Sequence, residues 1–174
     1  KEMGFDKMVI SDHNLYVWNR EAKAFWAASG VSEYTSPLEL NVHELSKLGL
    51  QSMELLIYGY EPVMVSAQCL QHTCKGCTGV TEYKILRDRY QNQFSAKNCC
   101  DFCYNIIYNT EPLMLFSEAK EIERLHPASL RLVFTKETPD QMRQILELYR
   151  RTFVEHQKVE ANHYTKGHFR RGVK

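Results

Sequence analysis

Cysteine is absent from this sequence outside one short window. All six cysteines of the 174-residue chain lie between Cys69 and Cys103. Cysteines that only filled a hydrophobic core would be spread over the core-forming segments. Binding of a soft metal instead needs several thiolates that converge on one point. The window therefore predicts a metal or iron-sulfur site.

Other features that the sequence lacks limit its function. No apolar run approaches the roughly 20 residues that cross a bilayer, so we expect no membrane partner. The formal net charge of +1 gives no overall attraction to nucleic acid or to an anionic membrane. No Ser-His-Asp or HExxH arrangement is present to supply a peptidase nucleophile or a catalytic zinc. Nothing resembles a secretory signal, so the expected location is the cytoplasm.

Two Cys-x-x-Cys pairs stand out within the window, Cys74 with Cys77 and Cys100 with Cys103. Paired thiols at this spacing are typical of tetrahedral zinc sites. Four thiolates suit an iron-sulfur cluster equally well, and a cluster also accepts irregular spacings that include Cys69. A disulfide framework is an alternative, although such scaffolds are usually secreted and shorter than this chain. A redox dithiol is another, but it would need only one pair.

The rest of the chain has the pattern of βα units, in which short apolar runs alternate with helical segments. We expect βα units in residues 1–66, a cysteine-rich metal- or cluster-binding segment in 67–110, a closing βα unit with an amphipathic helix in 111–160, and a basic tail in 161–174. Strands are predicted at 8–10, 33–35, 53–58, 63–66, 104–108, 113–116 and 130–134. The sequence thus indicates an α/β protein.

Helix starts are marked by side chains that can cap the first turn. Asn19 is a predicted N-cap, and Asn41 with Glu44 resembles a capping box. Thr138 and Gln141 form a second box around a proline at the first turn. The apolar residues that follow Gln141 recur at offsets of three and four, so we interpret them as core packing.

Several polar residues lie at or near the ends of predicted strands, where they could line a site. They are Asp12, His13, Glu39, Asn41, Glu54 and Tyr58. Glu39, Asn41, Glu54 and Tyr58 are the catalytic candidates, and the two glutamates could act as acid and base if they are buried. The charged run at 87–89 is interpreted as a salt-bridged pair that shapes the cysteine loop.

The tail interleaves basic and aromatic residues. Lys166, His168, Arg170 and Arg171 could grip RNA phosphates while the aromatic rings stack on bases. A solvated or docked terminus is the alternative interpretation.

Five runs in the chain resemble the collagenase-like peptidase U32 family. They are LELN at 38–41, YGYEPVMVS at 58–66, LRDRY at 86–90, CDFCYN at 100–105 and YTKGHFRRGV at 164–173. The last is similar to a Thr-Arg-Gly-His run of longer members, with Lys166 where arginine is commoner. Together these runs extend over nearly the whole chain.

The resemblance implies the second half of a TIM-like (β/α)-barrel, followed by a cysteine-rich metal-binding segment. The N-terminal half of the barrel would be missing, which agrees with a start at Lys1 that lacks Met. Half a barrel leaves sheet edges open, so we expect the fragment to form a homodimer or to close into a smaller sandwich. The intact protein is expected to be an enzyme and the fragment alone to be inactive.

The resemblance also implies a 4Fe-4S cluster, since members that hydroxylate RNA bases or quinone precursors without molecular oxygen hold one through four cysteines. Carried onto this chain, the ligand set is Cys69, Cys77, Cys100 and Cys103. Cys74 and Cys99 are the alternates, and zinc is the alternative metal. The alternative functions are a peptide hydrolase, as the family name states, and a non-catalytic module that a zinc ion stabilises.

Overall fold

The computed structural model describes residues 7–173, apart from the side chain of Lys75. Two compact units are formed. The parallel unit runs up to Gly59 and resumes at Leu113, and the hairpin unit is Tyr60–Pro112. Both units combine helix and sheet, so the chain is an α/β protein as predicted. Within the described residues, no helix is both long and apolar enough to span a membrane.

The helices and strands of the described residues are short. The strands are β1 (Ile10–Ser11), β2 (Glu33–Thr35), β3 (Met53–Gly59), β4 (Pro62–Ser66), β5 (Glu82–Arg87), β6 (Gln93–Cys99), β7 (Tyr104–Tyr108), β8 (Leu113–Met114) and β9 (Ser129–Val133). The α-helices are α1 (Arg20–Ala28), α2 (Val42–Leu48), α3 (Leu70–Lys75), α4 (Ala119–Leu125) and α5 (Pro139–Tyr149). Single 3₁₀ turns occur at His13–Leu15, Cys100–Phe102 and Phe116–Glu118, and a π-helical turn at Arg150–Val154 extends α5.

The sheet of the parallel unit has four parallel strands. β1 pairs with β2, β2 with β3, and β3 with β9, while β8 runs antiparallel to the end of β3. The connection from β3 back to β9 includes α4, as expected for a parallel crossover. In the part of the chain that the structure describes, this sheet is not closed into a barrel.

The predicted helix caps are confirmed. The Asn19 side chain accepts a hydrogen bond from the amide of Ala22 at the start of α1. Asn41 and Glu44 form a complete capping box on α2, and Thr138 and Gln141 form one on α5. Each oxygen satisfies an amide that the first helical turn leaves without a partner. Local sequence therefore fixes where these helices begin.

The two faces of the parallel sheet differ in chemistry. Tyr34, Met53 and Ile57 are buried in the hydrophobic core, which also contains residues from α2 and α4. Thr35 and Glu54 are register partners and project from the opposite face, because successive side chains in a strand alternate. Leu56, two residues beyond Glu54 in β3, projects from the same face and is buried, so this face is polar around Thr35 and Glu54 and apolar farther along β3.

The first predicted strand is shorter and more exposed than expected. The sequence predicts a buried strand at 8–10, but β1 begins at Ile10, and both Met8 and Ile10 are exposed. In the described residues β1 has a neighbour, β2, on one side only, so it is an edge strand. An apolar run shows that a segment suits a strand but does not show how many neighbours the strand has.

The hairpin unit contains a four-stranded antiparallel sheet in the order β4-β7-β6-β5. β4 and β7 were predicted, whereas β5 and β6 were not. Their hairpin turns at Asp88, which accepts hydrogen bonds from the amides of Tyr90 and Asn92 at 2.8 and 2.9 Å. The predicted salt bridge at 87–89 is therefore wrong. A short carboxylate reaches nearby backbone amides more easily than it reaches the end of a long arginine side chain.

Candidate functional site

Five of the six cysteines lie at one end of the hairpin sheet, and one of them, Cys99, is the last residue of β6. Cys69 follows β4 and Cys100 follows β6, whereas Cys77 precedes β5 and Cys103 precedes β7. Because each neighbouring pair in this sheet is antiparallel, the ends of β4 and β6 and the starts of β5 and β7 meet at the same edge. The topology alone thus brings together the four cysteines that the resemblance implies as ligands.

The electrostatics of Cys100 places its thiol among the other three. Burial raises the pKa of the Cys100 thiol, and the nearby thiols of Cys77, Cys69 and Cys103 raise this pKa further. A hydrogen bond from Asn98 lowers it, but by less. Thiols act on one another in this way only at short range, because a second negative charge nearby disfavours the thiolate. Cys100 is thus the common neighbour of the group, which we call the thiol centre.

The two remaining cysteines have other surroundings. Cys74 is an exposed residue of α3. Cys99 lies beside Tyr104, and a hydrogen bond to the Cys99 side chain raises the pKa of the Tyr104 phenol. Neither thiol contributes to the shift at Cys100. The effect on the pKa of Cys100 thus distinguishes Cys69, Cys77 and Cys103 from these two, and all six cysteines are free thiols.

Asn98 fixes the position of Cys100. The Asn98 side chain is buried in β6, and its amide group donates to the Cys100 sulfur at 3.2 Å and to the Val80 carbonyl at 3.1 Å. The Cys100 thiol donates to the same carbonyl at 3.1 Å, and the Cys100 amide donates to the Thr81 hydroxyl at 3.2 Å. These bonds tie the loop before β5 to the end of β6.

Asn105 fixes the loop that leads to Cys69. It is fully buried in β7, and its side-chain amide donates to the carbonyl of Gln68 at 2.5 Å and to that of Ser66 at 3.4 Å. Its oxygen accepts the Leu70 amide at 3.4 Å. Sequence reasoning did not assign a role to Asn98 or Asn105. For Asn105 the available signal was a polar residue within a predicted strand beside a cysteine, because a buried amide must find hydrogen-bond partners. Asn98 lies in β6, which was not predicted.

Two kinds of metal site use four thiolates, a tetrahedral zinc ion and an iron-sulfur cluster. Among residues 7–173, no three His, Cys, Asp or Glu side chains are arranged to hold a metal ion. Tetrahedral zinc with Zn–S bonds of about 2.3 Å would bring its sulfurs to about 3.8 Å from one another. In an iron-sulfur cluster each thiolate binds a different iron, so the sulfurs lie farther apart. The all-thiol donor set is compatible with either metal.

A second polar group lies on the face of the parallel sheet that carries Thr35 and Glu54. The Nη1 atom of Arg131 in β9 lies 2.9 Å from Glu54 Oε1, 3.1 Å from Asp12 Oδ1 and 3.2 Å from Thr35 Oγ1. The Thr35 hydroxyl also donates to Glu54 Oε1 at 2.5 Å, and Asp12 Oδ1 accepts from the amide and ring of His13 at 2.9 Å. We call these residues the Arg131 network.

Arg131 was not a sequence candidate, yet it joins Asp12 and Glu54, which were. Among the catalytic candidates, Glu54 belongs to the network, whereas Asn41 caps α2. The Tyr58 hydroxyl donates to Glu137 at 2.9 Å. Glu39 has a buried Oε2 atom without a hydrogen-bond partner among the described residues. The structure thus gives the catalytic candidates different surroundings.

The basic tail is docked on the parallel unit. Phe169 is buried, its carbonyl accepts the Val42 amide at 2.8 Å, and the Thr165 carbonyl accepts the Met114 amide at 2.9 Å. Lys166 and Arg170 form ion pairs with Glu118, and the Lys166 pair is 2.6 Å long.

The other two basic candidates of the tail do not share the contact with Glu118. His168 Nδ1 lies 3.1 Å from the Gly172 carbonyl, and Arg171 is exposed. Glu118 itself was not identified from the sequence, because only the fold brings it close to the tail.

Comparison of the chain with protein-family models, with curated proteins and with solved structures finds no match. A functional assignment therefore depends on the chemistry and geometry of its own residues, since a fold class by itself does not imply a function. The thiol centre has the most distinctive chemistry, because its four neighbouring thiols suit a soft metal.

Proposed function

We propose that the thiol centre binds a 4Fe-4S cluster through Cys69, Cys77, Cys100 and Cys103. The observation that supports it is the common end of the hairpin sheet at which these four residues lie, with the Cys100 thiol within electrostatic reach of the other three.

Hydrogen bonds from neighbouring residues would stabilise the thiolates that bind the cluster. When bound, a 4Fe-4S cluster supplies one-electron redox chemistry. The side chain of Asn98 and the amide of His72 donate to the sulfurs of Cys100 and Cys69, at 3.2 and 3.5 Å. Such donors stabilise negative charge on sulfur and thereby tune the potential of a cluster. Asn105 holds the backbone next to Cys69 in place.

We further propose that the chain is part of an enzyme similar to the U32 family, one that hydroxylates RNA or a small metabolite without molecular oxygen. Support comes from the parallel order β1-β2-β3-β9, which is compatible with an arc of a (β/α)-barrel, and from the polar side chains around Arg131 that these strands carry.

The tail is proposed to contribute to binding of an anionic substrate such as RNA. Lys166 and Arg170 share one carboxylate, that of Glu118, so one positive charge remains in excess. Their side chains are 40% and 53% exposed, and Arg171 and His168 are also exposed. Exposed cations that are already positioned by docking lose little entropy when they bind phosphate.

The decisive experiment measures iron, acid-labile sulfide and zinc in the full chain purified without oxygen. Oxygen is excluded because exposed thiols oxidise in air. We expect about four irons and four sulfides per chain. Cys100→Ser should lose most of both, whereas Cys99→Ser and Cys74→Ser, the matched controls, should retain them.

Other outcomes would contradict the proposal. One zinc per chain without sulfide would identify a structural zinc module instead. Equal loss of iron in Cys99→Ser and Cys100→Ser would overturn the ligand set, and a metal-free protein after anaerobic reconstitution with iron and sulfide would overturn the cluster itself.

A further inference from the structure

We propose that the Arg131 network is a binding site for a small ligand that carries both an ammonium and a carboxylate group. The proposal concerns the parallel unit alone and does not depend on the thiol centre. Its four main residues, Asp12, Thr35, Glu54 and Arg131, come from or directly follow four different strands, β1, β2, β3 and β9, and lie on one face of the sheet.

The hydrogen bonds of the network leave specific atoms available. Every contact of Arg131 uses Nη1, and within residues 7–173 its Nε and Nη2 atoms have no partner. Glu54 accepts hydrogen bonds only through Oε1, and Asp12 only through Oδ1. Glu54 Oε2 and Asp12 Oδ2 therefore have no hydrogen-bond partner among the described residues. Three N–H donors and two carboxylate oxygens thus remain to be satisfied.

The network is open to solvent as well as incomplete. The Arg131 side chain is 35% exposed, Asp12 is 50% exposed and Glu54 is 16% exposed. A network that only held strands together would gain most from closed, fully paired contacts, because partly desolvated charges are costly. Charges that are held in place but incompletely paired are expected at a binding site.

The remaining atoms define the chemistry of the ligand. A guanidinium presents its free N–H groups as a planar fork that matches a carboxylate. Carboxylate oxygens match an ammonium group. Arg131 lies within 3.1 Å of both carboxylates, so the two ligand groups must also be close together, as they are in an α-amino acid. Asp12 and Glu54 outnumber Arg131 by one charge, which favours a ligand with a net positive charge.

The test uses L-lysine, which carries one carboxylate and two ammonium groups, as the probe in calorimetric titration of the full chain. We expect saturable binding up to about 10 mM, the range that reveals weak sites. Glu54→Gln and Asp12→Asn, which keep the shape of the side chains, should each weaken it about tenfold, the loss expected for one charge-assisted contact. Glu147→Gln, a half-exposed residue of α5 outside the network, is the control and should bind normally.

Two further probes separate the two halves of the site. Cadaverine, a diamine, should bind more weakly than L-lysine because it lacks the carboxylate that would pair with Arg131. Acetate should not bind measurably. Cys100→Ser should bind L-lysine normally, since it alters the thiol centre only. Acetate binding as tightly as L-lysine would indicate an anion site and overturn the proposal. Absence of L-lysine binding, or equal binding in Glu54→Gln, would overturn the proposal and mean that the network only holds the strands together.

Discussion

Glu118 places a carboxylate in the interior of the parallel unit, where its side chain is 1% exposed. Burial raises its pKa, but hydrogen bonds from Lys166 and Arg170 lower it by more, so the pKa of Glu118 lies below its ordinary value of 4.5. A lowered pKa in the folded state stabilises folding at pH values above 4.5. This stabilisation is lost as the pH falls through the lowered value.

We expect Glu118→Gln to reduce the free energy of unfolding by roughly 1.5–3 kcal/mol at pH 7, because two charge-assisted hydrogen bonds become neutral ones. The difference from the unmodified protein should shrink as the pH falls through the lowered pKa of Glu118, because the carboxylate of the unmodified protein is then protonated as well. Urea unfolding at pH 7 and at a pH below 4.5 measures this difference in the free energy of unfolding. Asp140→Asn removes an exposed ion pair with Arg143 and should change stability by less than about 0.5 kcal/mol at either pH.

At the scale of elements, the C-terminal segment is an integral part of the parallel unit. The isolated bridge of Thr165 to Leu113 extends the contacts of β8, and Phe169 joins the hydrophobic core. The sequence allowed both a docked and a solvated tail, and the structure shows the docked one. Docking does not remove the basic side chains from solvent, so it is compatible with the proposed role in substrate binding.

Phe169→Ala should destabilise the protein by about 3–5 kcal/mol, because it removes a large buried side chain and leaves a cavity. Thermal unfolding measures the loss. Val173→Ala alters an exposed residue of the same segment and should have almost no effect. A small effect of Phe169→Ala would show that the tail is not docked in solution.

At the scale of the whole molecule, the two compact units carry different candidate sites, the thiol centre in the hairpin unit and the Arg131 network in the parallel unit. A metal at the thiol centre should stabilise the loops that supply its ligands, since it binds the folded state in preference to the unfolded one. The effect on β3, in the other unit, should be much smaller.

Hydrogen exchange of the metal-loaded and metal-free protein tests this expectation. Removal of the metal should accelerate exchange in residues 69–77 and 99–104 by at least about tenfold, which corresponds to about 1.4 kcal/mol of local stability. Residues 53–59 of β3 serve as the internal reference. Equal acceleration in both regions would mean that the metal stabilises the chain globally rather than at the thiol centre.

Local signals predicted many of the elements. The range of β2 was predicted without error, as was that of β7, and the capping boxes at Asn41 and Thr138 located the starts of α2 and α5. The hairpin of β5 and β6 was missed, although Tyr83 and Ile85 alternate with polar residues in β5 as in a half-buried strand. Its turn depends on Asp88 bonding to backbone amides, a contact that composition alone does not reveal.

The sequence by itself determined the α/β class, the helix starts and the clustering of all cysteines in one window, because each depends on neighbours along the chain. Tertiary structure alone decided which thiols surround Cys100, since the antiparallel register brings separate strand ends to one edge. It also decided that Arg131 meets Asp12 and Glu54, and that Glu118 receives the tail. Such contacts join residues far apart in sequence, where no local pattern records the partner.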